Sequence, residues 1–155
     1  MLGDRIYTVG ERSIAEVDAD TGEMLRIGNV GADTAVSGAP VLRGDIFYLP
    51  TVTHGVLMLN RDTLEVIGYM DTLPSVIFTS PYAYGEIRTV EGSPVVLGNL
   101  IVFTGNDGYL RICRSADGVE TKKIYLGSPS TVSPVVDGGA VYTADFFGRI
   151  AKFTL

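Results

Sequence analysis

Tryptophan and glutamine are absent from the 155-residue sequence, and cysteine and histidine each occur once. The single thiol, Cys113, excludes an intrachain disulfide. The single imidazole, His54, excludes the several histidine ligands that a two-metal phosphatase site uses. No run of 18 apolar residues is present, so the sequence predicts no membrane span. The first five residues do not show the basic and apolar regions of a signal peptide.

Charge is also sparse, and one sign prevails. Charged residues make up 19% of the sequence, below the typical share of about 25%. The net charge is −6 and the pI is about 4.6. An acidic chain repels phosphate groups, which disfavours nucleic acid and anionic membrane surfaces as partners. We therefore expect a protein partner or the rest of a parent chain, and both the cytoplasm and the bacterial cell envelope remain open as locations.

Strand-forming side chains are abundant. Val (18), Ile (11), Thr (14), Tyr (8) and Phe (6) together make up 57 of the 155 residues, and these types fit a pleated, half-buried surface. Lysine, a helix former, occurs only three times. The 19 glycines exceed the usual share of about 7%. This composition predicts an all-β fold with many short strands and tight turns.

One sequence unit recurs along the chain: a small residue, Pro, two branched aliphatic residues, a Gly-containing turn and an apolar run. It appears at 39–45 (APVLRGD), 93–99 (SPVVLGN) and 133–139 (SPVVDGG), and a copy cut at its front begins at Gly3. The turn glycines at positions 3, 44, 98 and 138 are 41, 54 and 40 residues apart. A period near 40 without long amphipathic helices is typical of propellers.

Each unit divides into four predicted strands, A to D. Strand A is the Pro-Val-Val segment, and strand B follows the glycine turn. Strand C follows a second turn, such as 106–108 (NDG), whose Gly accepts the positive φ of a hairpin. A third turn, at 18–22, 60–64 and 114–118, precedes strand D. The first unit lacks strand A and the last lacks strand D, which gives 14 strands.

The sequence therefore predicts an all-β fold, a β-propeller of about four blades built of four-stranded antiparallel sheets, two complete and two partial. Residues 1–155 form a single propeller region, with repeats at approximately 3–31, 32–78, 92–127 and 128–155 and an insertion at 71–91. Because the end units are partial, we expect the C-terminal part of a larger polypeptide. The open blade edges also predict a homodimer.

Residues 14–23 (IAEVDADTGE) resemble the core of the pyrroloquinoline-quinone-type propeller repeat. That repeat runs from Ser-Pro-Val-Val through Gly-Asp and Asp-Gly to Ala-Leu-Asp-x-x-Thr-Gly. The resemblance covers essentially the whole chain and implies propeller architecture. Most proteins with such repeats bind no quinone; they include the outer-membrane assembly lipoprotein and propellers appended to metallophosphoesterases.

The sequence departs from this family at its aromatic positions. The family's repeat usually ends in a Trp that packs between blades, and here Arg26, Gly68 or Tyr69, and Ile124 or Tyr125 lie near those positions. Quinone-dependent members also place a Trp under the cofactor, and many use an adjacent Cys pair over it. Neither can exist in this chain, so we expect no quinone and no other cofactor.

Three features could carry chemistry, and each has a simpler structural explanation. Residues 18–23 (DADTGE) resemble a calcium loop, but an EF-hand would need a Glu where Asn29 stands; a hairpin turn explains them. His54 precedes a hairpin glycine and is expected to be a turn residue. Cys113 lies in an apolar strand and is expected to be a buried thiol. We therefore predict no catalytic residue and no metal site.

The insertion at 71–91 is the best candidate for a binding site. It carries Tyr82, Tyr84 and Arg88, and Tyr and Arg are enriched in binding hot spots. Long connections between repeat elements often bind partners. The same residues could instead cover an edge of the propeller.

These observations predict a non-catalytic β-propeller module for protein or ligand binding, part of a larger polypeptide. The alternative is an accessory C-terminal domain of a hydrolase, such as a metallophosphoesterase, whose catalytic residues lie upstream.

Overall fold

In a computed structural model, which describes residues 3–77 and 87–154, the chain forms fourteen β-strands. The strands, in chain order, are β1 (Arg5–Val9), β2 (Ser13–Asp18), β3 (Met24–Asn29), β4 (Val41–Arg43), β5 (Ile46–Pro50), β6 (Val56–Asn60), β7 (Val66–Met70), β8 (Val95–Leu97), β9 (Leu100–Thr104), β10 (Tyr109–Arg114), β11 (Glu120–Tyr125), β12 (Val135–Asp137), β13 (Ala140–Ala144) and β14 (Ile150–Thr154). None of the described residues belongs to a helix that could span a bilayer.

The strands pair in chain order into four antiparallel sheets, which we call blades 1 to 4. Blade 1 contains β1–β3, blade 2 β4–β7, blade 3 β8–β11 and blade 4 β12–β14. β8 contacts both β4 and β12, so the first strands of blades 2, 3 and 4 lie side by side. The all-β class and the two complete and two partial blades predicted from the sequence are confirmed.

Proline and glycine fix where the strands begin. Pro40, Pro94 and Pro134 immediately precede β4, β8 and β12, where a missing N–H breaks no ladder hydrogen bond. Gly55, Gly108 and Gly148 in the second turns have positive φ, for example 85° at Gly108, a conformation that other residues adopt only with strain. The hairpins predicted at these turns are therefore confirmed.

The core consists of three apolar clusters, one between each pair of neighbouring blades. Buried members are Ile14 and Leu59 between blades 1 and 2, Tyr48 and Phe103 between blades 2 and 3, and Val102 and Val141 between blades 3 and 4. Blades 2 and 3 are thus buried on both faces. Their central strands are largely apolar because neither face meets solvent, although β10 also carries the buried Arg111.

Polar side chains also connect the blades. Arg26 of β3 donates hydrogen bonds to the Asp62 and Arg61 carbonyls of blade 2. It also pairs with Glu16 on the neighbouring strand. A charged side chain therefore makes a direct contact between blades 1 and 2.

The third turn of one blade packs against the outer strand of the preceding blade. At each of two such contacts a large residue on one side faces a glycine on the other. Leu64 of blade 2 is buried against Gly28 of blade 1. At the next contact, Gly118 of blade 3 faces Met70 of blade 2. The φ of Leu64 is 57°, although Gly stands at its equivalents. Packing between the blades therefore outweighs the conformational preference of leucine at this turn.

Candidate functional site

The second turns and the connections between blades emerge at the same end of the sheets, because successive strands alternate in direction. We call this end the connection face. It comprises residues 10–12, 51–55, 105–108 and 145–149 in the turns, and 30–40, 71–77, 87–94 and 126–134 in the connections. The described ends of the insertion, 71–77 and 87–91, therefore lie on the connection face.

The two ends of the insertion, which we call the arms (71–77 and 87–91), are hydrogen-bonded to each other. The Ser75 amide donates to the Ile87 carbonyl at 2.9 Å. The Thr89 amide donates to the Ser75 hydroxyl, also at 2.9 Å. These hydrogen bonds hold the two arms side by side.

The arms are also attached to the second turns of blades 2 and 3. The Gly55 amide donates to the Arg88 carbonyl at 2.7 Å, and the Asn106 amide donates to the Thr89 carbonyl at 3.0 Å. The Val76 amide in turn donates to the Asn106 carbonyl at 3.1 Å. Because both blades contribute to this attachment, the arms form a hydrogen-bonded base for the insertion.

A buried ion pair supports the arm 71–77 from below. Asp107 in the second turn of blade 3 accepts a hydrogen bond from the Leu73 amide at 2.8 Å. Its carboxylate pairs with the guanidinium of Arg111, at 3.0 Å between Nη1 and Oδ1, and their side chains are only 1% and 2% exposed. Glu120 Oε2 lies 3.2 Å from the Nε of the same arginine. A polar network that the sequence did not reveal therefore holds the arm.

The structure describes one of the three predicted binding residues, Arg88. Arg88 donates to both carboxylate oxygens of Asp71 at 3.1 Å and to the Thr72 carbonyl. Its guanidinium therefore joins the two arms and forms part of the base of the insertion. Tyr82 and Tyr84 lie outside the described residues. The binding role of all three stays a prediction.

Exposed apolar side chains lie on the connection face, on the arm and on the second turn of blade 4. Leu73 and Val76 project from the arm into solvent, and Phe147 in the turn is 78% exposed. The rings of Phe146 and Phe147 meet edge to face with centroids 6.4 Å apart. Aromatic residues are enriched at the cores of protein interfaces. The sequence pattern showed 147–148 only as a hairpin turn, so this aromatic pair was missed.

A groove of about 260 Å³ lies between β14 and the end of β11. Tyr125 and Phe153 line it together with the ion pair of Asp145 and Arg149, in which Nε and Oδ2 are 2.6 Å apart. The one carboxylate among these lining residues is already paired with an arginine. The groove therefore offers a shape for apolar groups rather than an acid–base pair.

The other candidate residues are explained by turns. The Asp18 carboxylate accepts hydrogen bonds from the Asp20 and Thr21 amides and from the Thr21 hydroxyl; the bond from the Thr21 amide contributes most to the lowered pKa of this carboxyl. His54 is exposed, and its amide donates to the Thr51 hydroxyl. Among residues 3–77 and 87–154, no group of three or more His, Cys, Asp or Glu could hold a metal ion.

Cys113 lies in the core between blades 2 and 3 and is 1% exposed. Burial, with the nearby Glu120 carboxylate, raises the pKa of its thiol to about 12. Since only the thiolate is a strong nucleophile, we expect no alkylation by iodoacetamide at pH 8 in the folded chain. Mass spectrometry checks this, with the urea-unfolded chain as the positive control. Complete alkylation of the folded protein would show that the thiol is accessible.

No protein-family model matches the chain, and no curated protein sequence matches it. Solved structures share its fold. BamB from Moraxella catarrhalis superposes with a TM-score of 0.72 at 19% identity, over 97% of this chain and 42% of that one. The computationally designed Ika4 protein gives 0.72 at 14% identity over 98% and 86% of the two chains. The designed Ika8 protein gives 0.71 at 14% identity over 98% and 43%.

These similarities concern the fold, which is a β-propeller built of three- and four-stranded blades. The chain spans less than half of the length of BamB and of Ika8.

Proposed function

We propose that the chain is a non-catalytic propeller module that binds a protein partner through the connection face. The observation that carries this proposal is the exposed pair Phe146 and Phe147, on the same face as the base of the insertion. Contiguous apolar surface on a soluble protein marks an interaction site. Leu73 and Val76 add apolar area to the arm on this face.

The acidic charge of the chain directs the choice of partner class. A net charge of −6 repels nucleic acid and anionic lipid headgroups. An apolar surface set on an acidic protein fits a protein partner with an apolar patch and basic surroundings. Tyr82, Tyr84 and Arg88 of the insertion would contribute to the same contact. The partner could be a separate protein or another part of a longer polypeptide that carries pyrroloquinoline-quinone-type repeats.

Photo-crosslinking followed by affinity measurement tests the proposal. p-Benzoylphenylalanine at position 147 is expected to crosslink one protein in cells of the source organism, whereas the same group in place of Lys122, exposed on β11, is not. With the purified partner, Phe146→Ser/Phe147→Ser should weaken binding at least about tenfold, as expected for interface aromatic residues. Ile67→Ser, at an exposed position of β7, serves as the matched control.

Two results would contradict the proposal. If the double serine variant and the unchanged protein bound the partner with equal affinity, the connection face would not be part of the interface. Turnover of a phosphate ester by the pure chain, abolished by a single substitution, would show that the chain itself is catalytic.

A further inference from the structure

The strand registers assign the same role to the same position in each blade. Ile14, Val56, Leu110 and Ile150 each follow a second turn and pair with the last residue of the preceding strand. In blades 1, 2 and 3 this side chain belongs to the cluster shared with the following blade. The position is therefore built to be covered by the next blade in the ring.

Ile150 differs from its equivalents in exposure alone. It is 81% exposed, whereas Ile14, Val56 and Leu110 are 0% exposed. Covering this isoleucine would remove apolar surface from water, which favours association. The outer face of blade 4 thus carries the apolar residue that is typical of a blade interface, but no blade covers it.

Blade 1 has the complementary face. Ile6 occupies the position of Phe47, Ile101 and Val141, which pack against the preceding blade and are at most 3% exposed. Ile6 itself is 41% exposed. Met24 on the same blade is also exposed. The two uncovered faces are therefore the two halves of one kind of interface.

The contacts between neighbouring blades of one chain indicate which contacts a second copy would make at the outer face of blade 4. Tyr7 of blade 1 packs its ring on Phe47 of blade 2, with centroids 4.7 Å apart. Tyr142 of blade 4 has the position of Tyr7, and Ile6 has the position of Phe47. A second copy placed at the outer face of blade 4 brings its Ile6 onto the Tyr142 ring.

One hydrogen bond between blades has a counterpart in the expected contact. Tyr48 of blade 2 donates its hydroxyl to the Ser115 carbonyl in the third turn of blade 3. The backbone bonds of the third turns make Ala19 the equivalent of Ser115 in blade 1. The Tyr142 hydroxyl of one copy is thus directed at the Ala19 carbonyl of the other.

Charge complementarity also favours a second copy of the chain as the partner of blade 4. Lys152 has the position of Met58, whose sulfur lies 2.8 Å from the place of a Cβ on Gly118 and so reaches the third turn of the next blade. In blade 1 the third turn carries Asp20 and is followed by Glu23. A lysine at this position would be costly against an apolar blade, but it meets an acidic turn in a second copy.

We propose that two copies of this chain close head to tail into an eight-bladed ring, with blade 4 of each copy packed on blade 1 of the other. The two contacts are identical and related by a twofold axis, so the assembly is closed. Eight blades lie within the usual range of about four to eight. The chain also superposes on a little under half of BamB and of Ika8. This surface is distinct from the connection face, so the inference does not depend on the proposed binding function.

Sedimentation velocity at micromolar concentration tests the ring. The chain is expected to sediment as one species of twice its 16.6 kDa mass. Ile150→Asp should weaken dimerisation at least about tenfold, with an unchanged circular dichroism spectrum because the side chain is exposed in the monomer. Ile67→Asp, at an exposed site on β7, should remain dimeric.

A charge exchange identifies the two faces. Lys152→Glu alone should produce monomers, Asp20→Lys alone should also weaken the dimer, and the two substitutions together should restore it. A monomeric unchanged chain would overturn the ring and would favour the rest of a longer polypeptide as the covering blade. Species larger than a dimer, or no rescue by the paired exchange, would also overturn it.

Discussion

Replacing Arg111 by methionine is expected to lower the free energy of unfolding by about 3–5 kcal/mol, because it leaves a buried carboxylate without its cation. Asp107 and Arg111 are 1% and 2% exposed in their side chains. The Leu73 amide would remain as a donor to Asp107, but it supplies no net positive charge. Urea unfolding followed by circular dichroism measures the loss.

Arg114→Met is the matched control for this prediction. Arg114 lies on the same strand, pairs with Asp117 and has a side chain that is 50% exposed. Because water solvates both of its charges, its removal should leave the unfolding midpoint close to that of the unchanged protein.

The double variant Asp107→Asn/Arg111→Met separates charge from packing. It removes both charges, so it should be more stable than Arg111→Met alone, since replacing both partners of a buried pair costs less than replacing one. If Arg111→Met and Arg114→Met proved equally stable, the Asp107–Arg111 pair would not support the fold.

The strands could be predicted because turn chemistry and composition agree locally. Pro40, Pro94 and Pro134 mark strand starts, and the second-turn glycines mark hairpins. Each of these signals acts within a few residues, so no tertiary information is needed. The three- and four-stranded blades followed from counting the turns.

The buried role of Arg111 could not be predicted in the same way. In a blade that is buried on both faces, apolar residues do not alternate with polar ones, so β10 gives no periodic signal that separates an inward arginine from an outward one. Its partners come from the preceding turn, from β11 and indirectly from the arm. Only the packed structure brings these groups together.

The position of the insertion along the chain could be predicted, but the contacts of its residues could not. The spacing of the turn glycines located the insertion, and the structure shows its arms on the connection face. Arg88 was selected because Arg is enriched in binding hot spots; its contacts, which join the two arms, could not be predicted, and its binding role stays a prediction. The exposed Phe146 and Phe147 were missed because a turn pattern does not report whether its side chains face solvent.

Gly92 shows a constraint of another kind, the close approach of two backbones. It is buried and lies just before the Ser93-Pro94 start of blade 3. A Cβ at this position would overlap the Val132 carbonyl and the Ser133 amide of the connection to blade 4. The Ser93 amide also donates to the Ser133 hydroxyl at 2.9 Å, so the two connections cannot separate without losing this bond.

Gly92→Ala is therefore expected to destabilise the chain by about 3 kcal/mol, at the upper end of the usual cost of overpacking. The opposing atoms belong to the backbone, so no side chain can rotate away to make room. Gly68→Ala is the matched control, because a Cβ there meets only the Met58 sulfur at 3.8 Å, an ordinary contact. That control should be as stable as the unchanged protein or slightly more stable, since alanine restricts the unfolded chain. Equal urea midpoints for the two alanine variants would show that blades 3 and 4 do not approach each other through Gly92.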